Sequence, residues 1–139
     1  MRQLSDIVLN QHPLTLRPSA TVKDACTHMR ERRTGSVLVT DENGHLSGIF
    51  TGRDAVCRVL AVGKDAAKTK LADVMTAAPV TVPPDKTAID ALRLMWDGGF
   101  RHLPVVKAGR VVGIVSRGDF KGDEQERLDE ERELWEHMR

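Results

Sequence analysis

The sequence runs one pattern twice. Residues Leu14 to Asp54 reappear as Val80 to Asp119, offset by 66 positions at first and 65 near the end. Leu14-Thr15-Leu16-Arg17-Pro18 matches Val80-Thr81-Val82-Pro83-Pro84. Thr21-Val22-Lys23-Asp24-Ala25 matches Thr87-Ala88-Ile89-Asp90-Ala91, and Met29 matches Met95. Gly48-Ile49-Phe50-Thr51-Gly52-Arg53-Asp54 matches Gly113-Ile114-Val115-Ser116-Arg117-Gly118-Asp119. A duplication this regular implies two similar lobes. Each half is about 50 to 60 residues, where a lone core is marginal, so the halves are expected to pack together and form related clefts between them.

Each repeat opens with a short helical segment, Leu4 to Val8 and Leu71 to Met75, and then a brief alternating strand, Leu14 to Leu16 and Val80 to Val82. Thr21 with Asp24, and Thr87 with Asp90, have the spacing of a capping box, in which a hydroxyl and a carboxylate each satisfy a free backbone N–H. The helices that follow carry Val22, Ala25, Cys26 and Met29, and Ala88, Ala91, Leu92 and Met95, at the i, i+3, i+4, i+7 spacing of one apolar stripe. Two strands come next in each repeat. Asp41-Glu42-Asn43-Gly44 joins the first pair, a hairpin signal because Asn-Gly tolerates positive φ. Lys107 to Arg110 joins the second pair, where Pro104 requires an edge or a bulge because it donates no N–H. A helix from Asp54 to about Val62 closes the first repeat.

The order is β-α-β-β-α, twice, which is an α+β fold of two repeats related by pseudo-two-fold symmetry. The expected organisation is repeat one over 1–62, a linker over 63–70, repeat two over 71–120 and an acidic C-terminal helix over 121–139. In that helix Leu128, Trp135 and Met138 share a face with Leu134 beside it, and Arg127–Glu131 and Arg132–Glu136 are spaced as i, i+4 ion pairs.

Charge excludes some functions. The net charge is +1, so no bulk basic field points to nucleic acid. The tail 121–139 holds four Lys/Arg and eight Asp/Glu, a balance of −4, which leaves +5 on the rest. The absence of Tyr, with three Phe and two Trp, argues against a base-stacking platform. No stretch approaches about 20 apolar residues, so no membrane span is expected. The N-terminus lacks the apolar run of a signal peptide, and a cytoplasmic location is the expectation. Cys26 and Cys57 have neither metal nor disulfide-framework spacing. His12, His28, His45 and His137 show no ligand spacing, and no metal site is expected. No P-loop or Ser/His/Asp arrangement is present, so the chain is not expected to be an enzyme and no catalytic cofactor is implied.

One local constellation stands out. Gly-Ile-x-Thr/Ser-x-x-Asp occurs at Gly48 to Asp54 and at Gly113 to Asp119. A hydroxyl and free N–H groups at a helix start favour an anion such as phosphate. A carboxylate one turn on can accept hydrogen bonds from a ribose diol. The same residues also make a plain helix cap, and a structural cap would be duplicated too.

Taken in order, these pieces resemble a tandem cystathionine-β-synthase (CBS) domain pair, the Bateman module, in a stand-alone bacterial type of protein. Arg101 to Val106, Gly35 to Val39, Asp73-Val74-Met75-Thr76 and Pro79-Val80-Thr81-Val82 resemble the family's strands and lead-in, and the likeness covers roughly Leu4 to Phe120. The resemblance implies a regulatory sensor that binds an adenosyl ligand (AMP, ADP, ATP or NAD, then S-adenosylmethionine) in clefts between the repeats and transmits occupancy by a conformational change. It implies ribose at Asp54 and Asp119, phosphate at Thr51 and Ser116, and adenine flanked by Ile49 and Ile114. The first cleft would be completed by Ala77, Ala78 and Pro79, the second by Gln11, His12 and Pro13. Arg101 and His102 are the candidates for the phosphate charge. Repeat one has Gly35 and Ser36 at those positions, so the clefts differ; Arg53 and Arg58 are the basic candidates near the first cleft and Arg117 near the second. The partners implied are the adenosyl small molecule, a second copy in a homodimer and an unidentified listening protein, with neither nucleic acid nor membrane. The alternative is a ligand-free dimerisation or partner-docking scaffold.

Overall fold

The capping boxes form as the spacing predicts, and they set the frame of both halves. A computed structural model describes residues 2–120 and 122–138 of the chain, apart from the side chains of His137 and Met138. In chain order the elements are α1 (Leu4–Ile7), β1 (Thr15–Leu16), α2 (Val22–Arg32), β2 (Ser36–Thr40), β3 (Leu46–Thr51), α3 (Gly52–Asp54), α4 (Leu71–Val74), β4 (Thr76–Ala77), α5 (Ala88–Gly98), β5 (His102–Lys107), β6 (Arg110–Ser116) and α6 (Gly122–Met138). Thr21 accepts from Asp24 N–H at the start of α2, and Thr87 accepts from Asp90 N–H at the start of α5, each with the reciprocal carboxylate bond. α3 runs on as a π-helical segment, Ala55–Leu60, and a 3₁₀ turn, Arg117–Asp119, follows β6.

The chain divides into two compact units that cut across the repeats. The first-repeat unit is His12–Val80 with Ala108–Val111. Its sheet has the order β1-β2-β3-β4, with β1 parallel to β2 and the other pairs antiparallel. Val22, Ala25 and Met29 of α2 pack on Val37, Val39, Phe50 and Val59, together with Leu71 and Val74 of α4. Residues 65–70 are docked on this unit. Val22 N–H donates to Thr69 O at 2.9 Å and Lys23 N–H to Ala66 O at 3.0 Å, which satisfies two of the free N–H groups at the start of α2.

Among the described residues, the second-repeat unit consists of 2–11, 81–107, 112–120 and 122–138. Here α1 supplies Leu4, and Val8 follows it, into a core with Leu92, Met95, Leu103, Val105, Val115 and Leu128. Backbone bonds fix that segment: Leu4 N–H to Lys86 O, Ser5 N–H to Pro84 O, and Ala88 N–H to Arg2 O, all at 2.9 Å. β5 pairs with β6. The strand expected at Val80 to Val82 is reduced to a single parallel bridge, Val82 to Val105. Pro83 and Pro84 follow directly and have no N–H to extend a ladder. Pro104 lies on the side of β5 that carries this bridge, and its carbonyl accepts from Val82 N–H at 3.1 Å.

Both hairpins form, and their turns differ. Gly44 alone takes positive φ (80°) in the first, where Asp41 Oδ1 accepts from Asn43 N–H and His45 N–H. The second loop has both residues left-handed, Ala108 at 52° and Gly109 at 80°, the pattern of a type I′ turn.

α6 packs on α5 through Leu128, which is 1% exposed. The wider stripe expected for it does not form. Leu134 and Trp135 are exposed, and the side chain of Met138 lies outside the described residues. Its ion pairs also run across helices: Glu131 takes Arg93 at 2.6 Å, and Arg132 lies 3.9 Å from Asp97. A partner on α5 combines charge pairing with the docking of the helix, which an exposed i, i+4 pair does not.

Candidate functional site

β3 and β6 end in the same way. In the first-repeat unit, Asp54 Oδ2 accepts from Thr51 N–H at 2.9 Å and from the Thr51 hydroxyl at 3.1 Å, and Asp54 N–H donates to Thr51 Oγ1 at 3.2 Å. In the second-repeat unit, Asp119 Oδ2 accepts from Ser116 N–H at 2.7 Å and from the Ser116 hydroxyl at 3.2 Å. Both carboxylates therefore stitch the start of their own helical turn, as a plain cap does. Each uses Oδ2 for these bonds. A carboxylate has about four acceptor positions, so each keeps capacity for a diol.

Neighbouring strands set these turns in matching surroundings. Gly52 N–H donates to Gly35 O at 3.0 Å, and Arg117 N–H donates to Arg101 O at 3.3 Å. Ser36 is buried in β2 opposite Thr51. Gly48 and Gly113 admit a close neighbour. A Cβ on Gly48 would lie 2.8 Å from Thr76 O, and one on Gly113 would lie 2.5 Å from Val8 Cβ. That approach lets the lead-in segment reach the strand edge. In the first-repeat unit it does so by backbone, Gly48 opposite Ala77 and Ile49 opposite Thr76, with Ala78 N–H donating to Ser47 O at 3.3 Å. In the second-repeat unit a side chain takes over: the Gln11 carboxamide accepts from Ile114 N–H and donates to Ile114 O, both at 2.9 Å.

The structure thus joins Thr51 to Asp54 at the end of β3 and Ser116 to Asp119 at the end of β6, while Ile49 sits opposite Thr76 and Ala78 bonds further back at Ser47. Ile49 is buried and Ile114 half-buried. Pro79 is half-buried next to Ala78. His12 and Pro13 belong to the first-repeat unit, where Arg32 donates to His12 O.

The basic residues take different roles. Arg58 Nε lies 3.5 Å from Asp54 Oδ1, and Arg58 Nη1 donates to Val74 O at 3.2 Å and Met75 O at 3.1 Å. The π-helical segment brings it there, a local winding often found at functional sites. Arg53 is exposed on the α3 turn. Arg101 is exposed, and His102 beside it is half-buried. Burial pushes the His102 imidazole below its ordinary pKa; Arg101 acts in the same direction and Asp119 opposes it. Arg117 is engaged elsewhere. Its guanidinium donates to Met95 O at 3.2 Å and lies 4.4 Å over the Trp96 ring, so it is held against α5 rather than offered to a phosphate.

One residue of this site escaped the sequence reading. Arg2 donates to Asp119 O at 3.0 Å, from 117 positions away in the chain. Gln11, grouped in the sequence with His12 and Pro13, occupies the place of Ala77 in the repeat alignment.

Comparison with known proteins agrees with this layout. A family model for the CBS domain matches residues 4–60 and 71–122. A CBS domain-containing protein of Arabidopsis thaliana is 45% identical over 102 residues, which is 73% of this chain and 19% of that protein. The chain therefore spans about a fifth of this plant relative. The crystal structure of a CBS-domain containing protein from Agrobacterium tumefaciens is similar at a TM-score of 0.77 and 31% identity, covering 84% of this chain and 94% of that one. A CBS domain protein from Pyrobaculum aerophilum, complexed with AMP, shares the fold at a TM-score of 0.81 and 23% identity, covering 93% and 98%. With both repeats matched by the family model and the capped strand ends duplicated in the structure, the chain belongs to the CBS-domain family as a tandem pair of CBS repeats.

Proposed function

We propose that the chain is a regulatory module that senses an adenosyl ligand, with one site at the end of β3 and one at the end of β6. The observation that carries this reading is the duplicated Thr/Ser–Asp pair, each set beside a close-packed lead-in segment at the strand edge. Asp54 and Asp119 hold the ribose hydroxyls. Thr51 and Ser116, with the N–H groups of the turns, hold phosphate. Ile49 and Ile114 flank the adenine, with Ala78 and Pro79 beside the first. In the first site Arg58 supplies charge, as Arg53 does from the rim; Gly35 and Ser36 line the turn. In the second site Arg101 supplies the charge and His102 a neutral donor. Ligand binding favours the ordered turn, and that bias is the signal. A homodimer and a listening protein complete the proposal.

Calorimetry with AMP, ATP, NAD and S-adenosylmethionine tests it. At least one ligand binds the wild type, and Asp54→Ala or Asp119→Ala weakens that binding about 5- to 150-fold, the loss of a hydrogen bond to a charged group. Equal affinity in all three proteins would remove the ribose role.

A second reading is a docking scaffold without a ligand. The observation favouring it is that both carboxylates already cap their own turns. Under that reading no nucleotide raises the melting temperature, whereas a ligand that binds only the folded state must do so.

A further inference from the structure

α6 is tied to the Ser116–Asp119 turn through one arginine. The Arg2 backbone is pinned at the start of α5, where Ala88 N–H donates to Arg2 O at 2.9 Å. Its guanidinium is shared. Nη2 donates to Asp119 O at 3.0 Å and to Glu124 Oε1 at 2.5 Å, and Nε donates to Glu124 Oε2 at 3.3 Å. Glu124 lies in the first turns of α6 and is 5% exposed. A two-point Arg–carboxylate pair at a half-buried position is directional and resists screening better than an exposed pair. A second link runs in parallel, because Arg117 of the turn and Arg132 of α6 both lie over Trp96, at 4.4 and 5.6 Å.

We infer that Arg2 is a positioning residue that couples the order of the Ser116–Asp119 turn to the docking of α6, so that α6 reports on occupancy of the second site. With Glu124 in place, Arg2 is held where it fixes the Asp119 carbonyl. When Glu124 loses its charge, Arg2 gains freedom and the turn loosens. Coupling between two sites is reciprocal, so a ligand that requires the formed turn also strengthens α6 docking. This extension rests on the proposed adenosyl site, while the coupling itself exists without a ligand.

Hydrogen exchange on the full chain reads both parts. In ligand-free protein, Glu124→Gln raises exchange of the 117–120 amides about tenfold, although residue 124 does not belong to the turn. Arg2→Lys, which keeps the charge but cannot reach both partners, does the same. Glu131→Gln, which loosens α6 without touching Arg2, leaves the turn within about twofold. AMP is the probe for the second part: it slows α6 exchange at least threefold in the wild type and fails to do so in Glu124→Gln. An unchanged turn in both Glu124→Gln and Arg2→Lys overturns the coupling. So does AMP that protects the turn and leaves α6 as it was. If AMP binds nowhere, the adenosyl reading falls, and the ligand-free measurement still decides the coupling.

Discussion

His102 shows how burial changes the meaning of a residue that spacing alone had marked. At the matching position the first repeat has Ser36, buried and uncharged. In the second repeat an imidazole stands there, beside Arg101 and near Asp119. The Arg-His pair was legible in the sequence as a charged feature. That the imidazole is held neutral was not, because desolvation depends on what packs around the ring. Its pKa is lowered in the folded state, so the unfolded chain binds more protons below the ordinary value of about 6.5. The stability His102 contributes is complete above that pH and is lost as pH falls through the lower folded value. Denaturant melts at about pH 7.5 and 5.5 therefore show a larger loss of stability for the wild type than for His102→Gln. Equal losses would mean that the ring is solvated.

The helices show what is legible at the scale of an element. Both long capping boxes and both apolar stripes follow from residue types at fixed spacing. The winding after Asp54 does not, since nothing in Ala55-Val56-Cys57-Arg58 distinguishes a π turn from an α turn until Arg58 meets the carbonyls of Val74 and Met75. α6 was overread for the same reason, because only contact with α5 reveals that Leu128 is the residue that docks. The helix ends supply an internal comparison. α2 and α5 both end in a left-handed residue, Arg33 at φ 53° and Gly99 at φ 71°. Gly avoids the Cβ clash of that conformation. Arg33 is exposed, so Arg33→Gly is expected to stabilise the protein by roughly 0.5–1 kcal/mol, with the entropy of the unfolded chain offsetting part of the gain. Thermal or urea unfolding measures it, and a loss of stability would mean that the Arg33 side chain contributes more than its backbone strain removes.

For the whole molecule, chain order and packing disagree, and this was the least legible feature. Read along the sequence, α1 opens the first repeat and α4 opens the second. By contact, Leu4 of α1 is buried with Leu92, Met95, Leu103 and Val115 of the second repeat, while Leu71 of α4 is buried with Val22, Phe50 and Val59 of the first. Both leucines are 0% exposed. Period and composition are the same for either assignment, so only the packed cores separate them. The consequence is a crossed response to mutation. Leu4→Ala and Leu71→Ala each leave a cavity that costs about 2–5 kcal/mol. Local unfolding should follow the damaged core rather than the neighbouring sequence. Hydrogen exchange should therefore rise across 88–107 and 112–115 in Leu4→Ala and across 22–51 in Leu71→Ala, with the other unit less affected in each case. The opposite pattern, with each substitution opening the repeat that follows it in the chain, would show that α1 and α4 serve their own repeats.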